Sequence, residues 1–85
     1  MMTKKKINEM IKDLEYYQDL CRNDINNCIK IAKELGYIVH TYEDIVTVYT
    51  PDYRTVPNMQ TSLDRSRGMI YGLEYAIKKL KEELA

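Results

Sequence analysis

Apolar residues recur every seven positions over the first third of the chain. Ile7, Leu14, Cys21, Cys28 and Leu35 form one row, and Met10, Tyr17 and Ile31 hold the position three residues further on. Asp24 is the one break in that second row. A third row, Ile11, Ile25 and Ala32, widens the stripe beyond a coiled-coil seam. The pattern predicts one long amphipathic helix over about 5–35, opened by Thr3 as N-cap and closed by Gly36 in a left-handed C-cap.

After Gly36 the period changes from helical to alternating. Tyr37–Tyr42 and Ile45–Thr50 are rich in β-branched and aromatic residues and predict a hairpin over about 37–50, turning near 42–45. A tight turn places Val39 opposite Val48 and Thr41 opposite Val46 on the expected core face. Ile38 with Tyr49, His40 with Thr47 and Tyr42 with Ile45 fall on the other face. Thr50-Pro51-Asp52-Tyr53 reads as a type I turn, leaving 51–57 as a loop or short third strand.

A second helix is expected over about 59–84, started by Asn58 or Thr61, where Thr61-Ser62-Leu63-Asp64 resembles a capping box. Leu63, Ile70, Ile77 and Leu84 repeat every seven residues, with Leu73 and Leu80 in the fourth position. The fold class is therefore α+β: a single domain, 1–85, of two long antiparallel helices joined by a β-hairpin. Gly68, Gly72 and Ala76 lie four apart, which suggests close approach of another backbone, from the hairpin or a second chain. With Asp24, whose charge would be costly in an apolar row unless paired, they are the candidate seam of a homodimer; the alternative is that the helix rotates slightly and leaves Asp24 exposed.

Composition narrows the function more than it names it. Thirteen basic and thirteen acidic residues balance, which argues against a strongly basic nucleic-acid binder. The lysine-led start, Met1 to Lys6, does not read as a secretory signal, and no stretch approaches the ~18 apolar residues of a membrane span. A cytoplasmic protein is the expectation, with Cys21 and Cys28 as free thiols too far apart for a disulfide within one helix. One histidine, His40, and no phosphate loop or metal-ligand motif predict neither enzyme, cofactor nor metal site.

Eight tyrosines and no Trp or Phe suit half-buried and interface positions. The candidate partner-binding residues are Tyr42, Tyr49 and Tyr53 on the hairpin side, or Tyr71 and Tyr75 on the second helix. The alternative is a small nucleic-acid-associated regulator. There Arg54, Arg65 and Arg67 would gather with Thr61 and Ser62 near a helix N-terminus to meet phosphate. The wealth of Lys, Ile, Asn and Tyr looks like AT-rich coding. In general character the chain is similar to small phage or mobile-element proteins that bind and block a host protein. It is therefore expected to be a non-enzymatic interaction module, an inhibitor or adaptor.

Overall fold

A computed structural model describes residues 3–85; Met1 and Met2, the first two residues of the lysine-led start, lie outside the described residues. The elements run α1 (Lys4–Glu34), β1 (Ile38–Tyr42), β2 (Ile45–Tyr49) and α2 (Pro57–Leu84). This is the helix-dominated αββα arrangement that the periodicity predicts.

Each element end has a local cause. The Thr3 hydroxyl accepts from the Lys6 N–H at 3.2 Å, so α1 is already formed through the lysines at its start. Gly36 takes φ +79°, and the amide of Tyr37 reaches the Ala32 carbonyl while that of Gly36 reaches Lys33. These two bonds make a Schellman motif, and Tyr37 packs on the Ala32 cluster to complete it. The second helix starts earlier than expected. Pro57 occupies its first turn and Val56 its cap, without a side-chain cap bond, so Thr61-Ser62-Leu63-Asp64 lies inside the helix rather than at its start. A proline needs no N–H partner and has its φ preset for a first turn, which outweighs the weaker capping signal.

The hairpin has the expected register: Val39 pairs with Val48, His40 with Thr47 and Tyr42 with Ile45. Its turn needs Glu43 at φ +54°, a conformation for which the sequence offers no glycine. The proposed third strand shrinks to one bridge, Tyr49 with Thr55. The outer edge of β2 is satisfied instead by a side chain. The Gln60 carboxamide accepts from the Val48 N–H at 3.1 Å and donates to the Val46 carbonyl at 2.9 Å.

The two helices run side by side in a molecule 56 × 18 × 17 Å in extent. Their core has two parts. Ala32, Val46, Val48 and Leu63 close the hairpin end, and Ile7, Ile11 and Ile77 close the far end. Between them Gln18 is buried and donates to the Ile70 carbonyl at 3.2 Å. The α1 contact face is made of Ile7 and Cys21 together with Ile11, Gln18 and Ala32. The row Tyr17, Asp24, Ile31 is exposed, as is Leu35. Thus α1 is rotated so that its third row, rather than its second, meets the rest of the chain, and Asp24 stands on the surface.

Candidate interaction surfaces

The first surface is the outer face of the hairpin. Strand alternation sends Val46 and Val48 into the core and turns His40, Tyr42 and Tyr49 outward. The loop after β2 then folds back over that face. Its Thr50 amide donates to the Arg54 carbonyl at 2.8 Å and the Tyr53 amide to the Thr50 carbonyl at 2.8 Å, as a four-residue turn requires. The Thr50 hydroxyl donates to Asp52, and Arg54 pairs with Asp52 at 3.0 Å. Tyr53, at φ +62°, is brought onto the aromatic pair. The His40 ring lies 5.8 Å from Tyr49 and 6.4 Å from Tyr53, and Tyr49 lies 5.8 Å from Tyr53. Tyr53 remains 65% exposed and Tyr42, at the hairpin tip, 74% exposed, so the cluster presents ring area to solvent.

The second surface is a groove of about 360 Å³ where the hairpin tip meets both helices. Ile25, Ile29, Val46 and Ile70 form its floor, and Arg22, Asn26, Asp44, Arg67 and Tyr71 stand among its walls. Asp44 ties the tip to α2. It accepts from the Tyr71 hydroxyl and from Arg67 Nε at 3.2 Å, and the Arg67 guanidinium lies over the Tyr71 ring at 5.2 Å. The Tyr71 hydrogen bond, helped by Arg67, holds the Asp44 carboxyl below the usual carboxylate range. The same hydrogen bond pushes the Tyr71 phenol up.

The third surface lies on the opposite side of the helix pair. Asp24, Cys28 and Ile31 of α1 and Ser62, Arg65, Ser66 and Met69 of α2 line a groove of about 540 Å³. Burial pushes the Cys28 thiol up, as fits an inert half-buried cysteine rather than a nucleophile. Cys21 is buried, and both thiols are free.

The residues singled out in the sequence are thus distributed rather than gathered. Tyr49 and Tyr53 belong together, with His40 as a third ring that only the register could place. Tyr42 stands apart at the tip, Tyr71 serves the Asp44 contact, and Tyr75 lies under Lys79 at 5.4 Å. The arginines do not form one patch. Arg54 is held by Asp52, Arg67 by Asp44, and Arg65 lines the groove on the other side of α2. The glycine strip does not pack on the hairpin. A Cβ at Gly68 or Gly72 would meet nothing within 4 Å, so neither is required by a close approach within the chain. Ala76 is half-buried beside them.

Among the described residues no group of His, Cys, Asp and Glu could hold a metal ion, and no helix is long and apolar enough to cross a membrane. Comparison of the chain with protein-family models, with curated proteins and with solved structures gives no match in any of the three.

Proposed function

We propose that the chain is a non-enzymatic protein–protein interaction module, an inhibitor or adaptor that works in the cytoplasm as a homodimer and uses the outer face of its hairpin to hold a partner protein. The exposed His40–Tyr49–Tyr53 cluster carries this reading. Rings already packed on one another lose little freedom on binding, and tyrosine offers apolar area with a polar tip, the combination found at the centres of protein interfaces. Tyr42 and the neighbouring Ile45 extend the same face toward the tip. The style of the sequence, like that of small phage and mobile-element proteins, makes a host protein the natural class of partner.

Capture from a lysate of the native host tests this. The full chain is expected to retain one protein in stoichiometric amount. Tyr49→Ala with Tyr53→Ala should release it while the helical circular dichroism is unchanged. A variant with Arg54, Arg65 and Arg67 all changed to Ala should still retain it. The nucleic-acid reading makes the opposite prediction. Under it the chain binds labelled DNA or RNA with steep salt dependence, and the triple arginine variant loses that binding.

A further inference from the structure

We propose that the face opposite the hairpin receives a second copy of this chain, with α1 of each copy lying over α2 of the other around a two-fold axis parallel to the helices. The inference rests on the homodimer reading above and says which surface makes it.

The hairpin covers one side of the helix pair. The other side presents Tyr17, Leu20, Ile31 and Met69, all large, apolar and at least 40% exposed. They belong to the stripe of α1 and the flank of α2 that the rotation of α1 leaves uncovered. The molecule as a whole has surface to spare for an interface. A folded monomer of this mass exposes roughly 5,300 Å², whereas this chain exposes 6435 Å². The excess, roughly 1,100 Å², exceeds the ~800 Å² per partner of an ordinary stable interface.

Charge selects the occupant. Gln18 reaching Ile70 and Cys28 reaching Met59 fix which residues of the antiparallel helices lie at one height. On that scale Asp24 is level with Arg65, and both line the groove on the face opposite the hairpin. A two-fold axis along the helices preserves height and exchanges α1 for α2 across the interface. Asp24 then meets Arg65 of the partner subunit. The ion pair occurs twice by symmetry. A lone charge within an otherwise apolar row is also the device that fixes register between associating helices. A self-complementary arrangement of this kind fits a copy of the chain better than an unrelated surface.

Reversing the charges tests it, read by sedimentation equilibrium on the full chain. Asp24→Arg alone and Arg65→Asp alone should each weaken the dimer by about tenfold or more, since each sets like charges opposite one another. Both side chains are exposed, so helical circular dichroism should be unchanged. Mixing the two single variants should restore a dimer, because every arginine then meets an aspartate, and the double variant should dimerise like the wild type. Met69→Glu should weaken association without any charge partner to rescue it. Single variants that dimerise as tightly as the wild type, or a mixture that fails to recover, would overturn the choice of face while leaving the dimer standing. A wild-type chain that stays single at about 100 µM would overturn the dimer reading itself.

Discussion

Gln60 does for β2 what a third strand would otherwise do. Its carboxamide satisfies both outward-facing backbone groups of Val46 and Val48, and it also donates to Asp64 at 3.1 Å. Replacing it with Ala leaves a half-buried N–H and C=O without partners. The loss should be about 1–3 kcal/mol of stability, read from urea unfolding. Asp44 gives a different signature, because its contacts depend on charge. Its carboxyl is held below the ordinary range, so its contribution is complete above the unfolded-state value. That contribution fades as the pH falls through the lowered one. Tyr71, raised by the same bond, contributes below its ordinary range and ceases to as the pH rises through its higher value. Tyr71→Phe should therefore shift the urea midpoint at neutral pH and shift it less in acid, below the usual carboxylate range. A midpoint loss equal at both pH values would mean that the hydroxyl does not act through Asp44. Neither glutamine stood out in the sequence, for a physical reason. Gln18 occupies the gap in the row Ile11, Ile25, Ala32, and a polar residue there reads as a break until the Ile70 carbonyl is seen to meet it.

At the scale of elements, the legible features were those set by local rules. The Thr3 cap, the Gly36 stop and the hairpin register all follow from a few neighbouring residues, since a one-residue slip would bring Val46 and Val48 out of the core. The start of α2 was misplaced because two signals compete within five residues, and Pro57 prevails over Thr61. The rotation of α1 was legible only as one of two alternatives. Two heptad rows of similar apolarity leave the choice to the partner helix and hairpin, and these take the row with Ile11 and Ala32. The glycines follow the same logic. Spacing alone suggested a packing strip, yet neither Gly68 nor Gly72 meets another part of the chain. Gly68→Ala and Gly72→Ala should each raise stability by about 0.5–1 kcal/mol in urea unfolding. A loss of stability at either position would show that another backbone comes close there. Of the candidate sites, the tyrosines were recognisable by type, but their grouping with His40 needed the loop of Thr50–Arg54 to fold back.

The whole molecule is long and thin for its size. Two helices of 31 and 28 residues lie in one layer, and a hairpin of two five-residue strands covers only part of one side. A short chain with so divided a core gains much from burying its remaining face. The sequence carried that excess as a stripe too wide for one partner helix, with Asp24 marking the part left outside. The hairpin face and the helical face point in opposite directions, so a dimer would keep both tyrosine clusters free for partners. Sedimentation equilibrium of the wild-type chain over about 1–100 µM measures this most directly. The mass should rise to twice that of the chain and go no further. A mass that stays at one chain throughout the range would contradict the dimer.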